Sequence, residues 1–271
     1  MPISFDLTAE QKEMLEKIRK FAREELLPWA DKSDRERRIP RELIEKMCKP
    51  PYSIPAIWIP KQYGGLELSR VSTTLLSEEV GYALTPALTF IEVSLLGTFP
   101  LIVAGSEEQK KKYLPQIASG KKLAAFALTE PNAGSDAGAI QTTARKEGDY
   151  YVLNGTKIFI TNGGEADIYT VVALTNPEKG ARGASMFIVE KGTPGFEFGK
   201  KEDKMGIRAS ATRELIFNEC KVPKENLLGR EGAGFLMTMK VFDISRPGVA
   251  AQALGIAEGA FEEALKYVHQ R

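Results

Sequence analysis

Polar and apolar positions along the chain change period twice. From Leu7 to Gly120 the apolar residues recur at helical spacing. Leu7-Thr8-Ala9-Glu10-Gln11 reads as a start signal, with Thr8 as N-cap and Gln11 as its capping-box partner. Met14, Leu15, Ile18, Phe21 and Ala22 follow on one face. Pro28 and the charged run Asp31 to Arg38 are expected to end this element, and Pro40 to open another through Met47. Pro50 to Pro60 reads as a loop anchored by Tyr52 and Trp58, and Tyr63-Gly64-Gly65 as a turn. Val71 to Val80 and Phe90 to Val103 are apolar enough for two buried helices, and Ser106-Glu107-Glu108-Gln109 is a second capping box.

Between Leu123 and Phe217 the period shortens to that of strands. Tyr150 to Ile160 is expected to be a hairpin, two alternating runs joined by Asn154-Gly155. Ile168 to Leu174, Ala184 to Val189, Phe196 to Gly199 and Glu214 to Phe217 supply further strands. Several short strands with no crossover helix between them suggest a closed or sandwiched sheet, not a parallel one. From Gly232-Ala233-Gly234 onward the pattern is helical again, with Phe242, Val249, Leu254, Ile256, Phe261, Leu265 and Val268 on apolar faces. Pro247 is expected to kink this helix or start a second one. Lys266 to Arg271 resembles the middle of an amphipathic helix, without a Gly cap or Pro stop, so a longer protein is expected. The fold class is α+β.

Composition narrows the chemistry. With 43% hydrophobic and 27% charged residues the chain has enough apolar material for a sizeable core. A net charge of +1 gives no electrostatic footprint for nucleic acid. Cys48 and Cys220 read as buried free thiols of a reducing compartment. No basic apolar leader and no apolar run of membrane length is present, which makes a cytoplasmic protein the default. A Ser-His-Asp triad, a His-ligated metal site or a His general base would have to use the single histidine, His269, and no metal is expected. Carboxylates, hydroxyls or a cofactor must carry any catalysis.

Two clusters stand out. Thr129-Glu130-Pro131-Asn132-Ala133-Gly134-Ser135-Asp136 joins hydroxyls to a Pro-Asn turn and a flexible Gly, and Phe159-Ile160-Thr161-Asn162-Gly163-Gly164 adds an aromatic face. Together they offer what a flat, polar, phosphate-bearing cofactor such as a flavin dinucleotide needs. Neither has Walker spacing or a strand-GxGxxG-helix unit.

These residues resemble the acyl-CoA dehydrogenase family, and the likeness covers essentially the whole chain. It is carried by Ala127 to Asp136, Leu153-Asn154-Gly155-Thr156-Lys157 through Thr161-Asn162, Met205 to Thr212, and Val222-Pro223-Lys224-Glu225-Asn226. The resemblance implies an N-terminal all-α helical domain (1–122), a middle antiparallel β-barrel domain that binds flavin (123–232), and the first helix of a truncated C-terminal helical bundle (233–271). It implies bound FAD, an acyl-CoA substrate and oxidation to a trans-2-enoyl-CoA. A carboxylate takes the α-proton, and hydrogen bonds to the thioester carbonyl stabilise the enolate. The resemblance further implies electron transfer to an electron-transferring flavoprotein, and a homodimer or homotetramer at full length. An enoyl-CoA reductase, an acyl-CoA oxidase and a non-catalytic FAD- or CoA-binding subunit are the alternatives.

The same resemblance suggests roles. Thr129 matches the threonine on the pyrimidine side of the flavin, with Leu128 and Phe126 nearby; on its own it would be a turn cap. Gly134 and Ser135 match the segment near the pyrophosphate and the pantetheine arm, and Ser135 thereby also touches substrate. Phe159 stands where the family sets an aromatic against the flavin, followed by Ile160 and by Thr161, which would hydrogen-bond near N5. Asp243 and Arg246 match helix positions that contact CoA, although at that spacing they would equally form a local ion pair. Arg271 matches the arginine that reaches the FAD pyrophosphate of a neighbouring subunit. The catalytic base is expected beyond residue 271. Some relatives carry it at the position of Ser245, which has no carboxylate, and Glu92 is a fallback at the far end of the acyl pocket.

Overall fold

Thr8 opens the first helix through reciprocal bonds: its hydroxyl accepts from Gln11 N at 3.2 Å, and Gln11 Oε1 accepts from Thr8 N at 2.9 Å. The architecture is taken from a computed structural model, which describes residues 6–271. Helix α1 (Ala9–Phe21) runs on through a π turn (Ala22–Leu26) and a 3-10 turn (Leu27–Trp29) into α2 (Ala30–Glu36). The charged run is helical as far as Glu36, and the helix ends within it at Arg37, which is left-handed (φ 53°). Pro28 sits in the first turn of a short segment, where its missing N–H is not needed. Asp31 and Arg35 pair one turn apart at 2.9 Å. Helix α3 (Arg41–Cys48) follows, with Pro40 as its N-cap.

The two predicted buried helices are parts of one long element, α4 (Arg70–Ala104). It is broken at Leu84 (φ −152°, ψ 76°), two residues before Pro86, whose ring cannot donate back into the preceding turn. Helix α5 (Glu107–Ala118) starts at the second predicted capping box. Among the described residues no single helix is long and apolar enough to cross a membrane.

The middle of the chain is a sheet of eight strands: β1 (Ala124–Ala127), β2 (Thr143–Glu147), β3 (Tyr150–Thr161), β4 (Ile168–Leu174), β5 (Ala184–Glu190), β6 (Phe196–Lys201), β7 (Thr212–Pro223) and β8 (Leu227–Leu228). Their order is β6-β7-β3-β2-β4-β5-β8, with β1 added beside β4. Pairing is antiparallel except that β1 runs parallel to β4 and Thr143 of β2 meets Leu174 in parallel. β4 is buried on both faces: Ile168, Val172 and Leu174 pack toward the helices, and Tyr169, Val171 and Ala173 join the other core.

The expected Asn154-Gly155 hairpin does not exist. Both residues lie inside β3, at a register shift against β7 between Leu153 and Gly155. Gly155 has φ +146°, and a Cβ there would come within 2.8 Å of Thr142 Cα. The glycine is needed for a close approach at a bulge, not for a turn. The true hairpin joins β2 to β3 through Gly148-Asp149, with Glu147 opposite Tyr150.

The closing helix, α6 (Gly234–Gln270), is continuous. Pro247 neither breaks it nor begins a second helix. That proline is exposed, while Gly248 and Gly255 beside it press against α4 and hold the axis. A Cβ on Gly255 would lie 2.1 Å from Glu78 O, so the two helices touch backbone to backbone. The opposite face of α6 is uncovered in this chain, with Leu254, Phe261 and Val268 at 56%, 67% and 66% exposure. Cys48 and Cys220 are both buried and free, as expected, and burial pushes each thiol up to about 11, Glu45 adding to the effect at Cys48.

Candidate functional site

The two sequence clusters meet where β1, β3, α4 and α6 converge. β1 leads into the Leu128–Asp136 loop, which folds back on itself: Glu130 and Ala133 exchange N–H to carbonyl bonds at 3.1 Å each way. Asn132, Gly134 and Ser135 are exposed around this tight turn, and space is open where a Cβ on Gly134 would stand. Ile158 N donates to Thr129 O at 2.9 Å, which lays the loop against β3.

The second irregularity of β3 lies between Lys157 and Ile160 in its pairing with β7. It turns Phe159 outward with φ +56°, leaving the ring 60% exposed while Ile160 is buried at 3%. A large aromatic held in a left-handed conformation and shown to solvent is not packed as core. Thr161 follows, partly exposed, and Asn162 (φ +62°) ends the strand. On the other side the rings of Phe126 and Phe242 meet edge-on, centroids 6.0 Å apart, which ties β1 to α6.

The structure thus groups Phe126, Leu128, Thr129, Phe159, Ile160 and Thr161, with Asp243, Ser245 and Arg246 following Phe242 on α6. Asp243 and Arg246 are both exposed, and no ion pair joins them to each other or to another described residue. The local-pair alternative is not realised. Arg271 is not part of this group: it lies 28 residues beyond Asp243 on the same helix (271 − 243), about 42 Å along the axis.

Ser245 donates to Phe242 O at 3.2 Å, in the back-bonding typical of helical serines. Glu92 sits in the α4–α6 contact, where a Cβ on Gly248 would come within 2.8 Å of its Oε1. Burial pushes its carboxyl above the usual range, and the Ser77 hydroxyl, 2.6 Å away, opposes that shift. Ser77 Oγ also lies 3.0 Å from Thr73 O, and it has a single proton for both acceptors. A protonated Glu92 that donates to Ser77 would satisfy all three groups.

Glu130 and Lys157 lie within the two motif segments, and no role is expected for either from the sequence. They form a buried ion pair: Lys157 Nζ is 2.7 Å from Glu130 Oε1, with side-chain exposures of 0% and 5%. Burial pushes the Lys157 ammonium well below the usual lysine range, against the attraction of Glu130. At Glu130 burial acts upward but is outweighed by Lys157 and by the N–H groups of Thr142 and Gln141, leaving the carboxyl below its ordinary range. The one signal in the sequence was a lysine in the middle of a strand whose neighbours are apolar.

A cavity of ≈ 680 Å³ lies elsewhere. It is lined by Met14, Phe21, Tyr52, Leu66, Leu68 and Leu76 and includes none of the residues above. The site is placed at the β1–β3–α6 junction because chemistry-bearing groups converge there. Among the described residues no cluster of three or more His, Cys, Asp or Glu side chains is placed to hold a metal ion.

A helical layer, a mixed sheet that turns Phe159 outward and a long closing helix define a helix–sheet–helix architecture. Three family models match in sequence order: acyl-CoA dehydrogenase, N-terminal domain, over residues 8–121, middle domain over 125–220, and C-terminal domain over 232–271. The chain belongs to the acyl-CoA dehydrogenase family. It is 49% identical to an acyl-CoA dehydrogenase of Bacillus subtilis (strain 168), covering 98% of this chain and 70% of that one. It is 48% identical to an acryloyl-CoA reductase (NADH) of Anaerotignum propionicum, covering 99% and 68%. The solved butyryl-CoA dehydrogenase from Megasphaera elsdenii superposes with a TM-score of 0.94 at 44% identity, covering 99% of this chain and 71% of that one. A chain in a structure described as an electron transferring flavoprotein of Acidaminococcus fermentans gives 0.95 at 48%, covering 99% and 70%.

Proposed function

We propose that this protein oxidises an acyl-CoA thioester at its α and β carbons, with FAD held at the β1–β3–α6 junction. The observation that carries the reading is the placement of Thr129 beside Phe159 through the Ile158–Thr129 bond, with Phe159 turned out of the sheet. The residues present fit a flavin dinucleotide. The Thr129, Ser135 and Thr161 hydroxyls have no partner among the described residues, and the Gly134–Ser135 turn is open to a phosphate. Structures similar to this chain include one described as PigA with FAD and proline, at a TM-score of 0.93 and 33% identity, covering 99% of this chain and 70% of that one.

FAD held here would supply the two-electron acceptor for the hydride leaving the β-carbon. Phe159 supplies an apolar wall for the ring, and Ile160 anchors that wall in the core. The Thr129 and Thr161 hydroxyls would donate to its polar edge, and the Gly134 and Ser135 N–H groups would hold phosphate oxygens. Phe126 and Phe242 exclude water from the reacting carbons. Asp243 and Arg246, free of other partners, hold the CoA portion. The α-proton would go to a carboxylate beyond residue 271, since Ser245 is a hydroxyl engaged by Phe242 O and Glu92 lies buried in the α4–α6 contact. Arg271 reaches the cofactor of a second copy, which makes the working form a homodimer or homotetramer. We place the domain boundaries after residues 122 and 232, the electron acceptor as an electron-transferring flavoprotein, and the setting as cytoplasmic.

Two of these inferences draw on the relatives: the Acidaminococcus likeness favours the flavoprotein acceptor, and the Anaerotignum reductase favours a second reading in which the same site reduces an enoyl-CoA. The test is an anaerobic absorbance titration of the holoprotein with a panel of saturated acyl-CoAs and their enoyl counterparts. Bleaching by a saturated thioester supports dehydrogenation. Reoxidation of the reduced protein by enoyl-CoA alone, with no bleaching, supports the reductase, and no response to either sinks both.

A further inference from the structure

The cofactor-facing segments belong to strands that do not pair. β1 is bonded to β4, whereas β3 lies between β7 and β2. No ladder therefore spaces the Thr129 loop from the Phe159–Thr161 wall. Besides the single Ile158–Thr129 bond, the gap is crossed by Lys157. Its Nζ, rooted in β3, donates to Leu128 O at 3.0 Å and to Glu130 Oε1 at 2.7 Å. Glu130 in turn accepts from Gln141 N at 2.6 Å and from Thr142 N at 3.1 Å, and its own backbone closes the turn that carries Gly134 and Ser135.

We propose that the buried Lys157–Glu130 pair is the positioning element that sets the spacing between the two halves of the flavin site. The proposal rests on the cofactor reading above. Folding free energy is a poor reason for such a pair, because a buried ion pair replaced by neutral groups of similar shape often leaves a fold as stable as before. Directional bonds fix distance and angle, which an apolar contact does not. One ammonium here braces the residue before Thr129, the residue after it, and a strand position two before Phe159. Pre-set spacing of this kind raises affinity by lowering the ordering cost of binding.

The test is a FAD-binding titration of the whole chain in three forms, unaltered, E130Q and K157M/E130Q, with melting of each apoprotein recorded alongside. The double variant removes both charges at nearly constant shape, so it avoids leaving one charge buried and unpaired. Melting is expected to move by only a few degrees. The Kd for FAD is expected to rise about tenfold or more, and the visible circular dichroism of the bound flavin to change. E130Q, which keeps an acceptor for Lys157, loses about threefold in affinity. A folded double variant with unaltered Kd and dichroism overturns the proposal. If that variant does not fold, an unaltered Kd in E130Q overturns it. Unaltered protein that takes up no FAD at all sinks the cofactor reading itself, and the role of the pair with it.

Discussion

Asn162 donates from Nδ2 to the carbonyl of Phe90 at 2.7 Å, which pins the end of β3 to the helix that carries Glu92. The side chain is fully buried and its backbone is left-handed, at φ +62°. Asn162→Ala leaves the Phe90 carbonyl without this donor and keeps an unfavourable backbone, for a loss of about 3 kcal/mol in urea unfolding. Asn162→Gly removes the same bond but relaxes the backbone, and should lose about 1 kcal/mol less. Equal losses would mean that the conformation costs nothing there.

Glu92 gives a pH dependence of definite sign. An acid whose proton is held more tightly in the folded than in the unfolded state costs stability once it ionises. The cost is absent below the ordinary glutamate range, grows as pH rises through the window up to the raised folded value, and is complete above it. Gln at this position donates to Ser77 as the protonated acid does. Glu92→Gln should therefore be more stable than the unaltered protein at neutral pH, by roughly 1 kcal/mol, with the difference closing on acidification. Chemical denaturation across pH measures it.

Phe159 separates folding from binding. With 60% of its surface exposed, Phe159→Ala should change stability by no more than about 0.5 kcal/mol. Phe159→Gly should raise it by about 1 kcal/mol, because φ +56° suits glycine. Both are expected to weaken FAD binding about tenfold or more by loss of ring stacking. Fluorescence titration beside thermal melting distinguishes the two effects, and an affinity that survives Phe159→Ala removes this ring from the site.

Gly255 controls how close α6 lies to α4. A methyl group there would overlap Glu78 O and stand 2.7 Å from Tyr82 N, both of them backbone atoms that cannot rotate away. Gly255→Ala should destabilise by about 3 kcal/mol, against the helix propensity that favours alanine. A melting temperature unchanged or raised by this substitution would show that the helices have room to part.

What was legible in the sequence was local. The capping boxes at Thr8 and Ser106 were found because each is complete within four residues. β4 to β7 were recognisable as short β-branched or aromatic runs, while β1, β2 and β8 were not, and the two clusters around Thr129 and Phe159 stood out by side chains with no obvious packing role. Asn154-Gly155 misled because a turn signal and a bulge use the same glycine, and only the approach of Thr142 decides between them. Pro247 begins no second helix: α6 runs through it, packed on α4 at Gly248 and Gly255. The Lys157–Glu130 pair was invisible because 27 positions separate the partners (157 − 130), and no spacing rule reaches that far.

Lys157 has a further consequence as a reporter. A primary amine with no solvent contact is hidden from acylating reagents while the sheet stays shut. Of all the lysines that a peptide map would cover, this one should modify last, and only as fast as β3 lifts away from the loop in front of it. Its rate of tagging is therefore a clock for the breathing of the sheet, readable by mass spectrometry without any engineered probe.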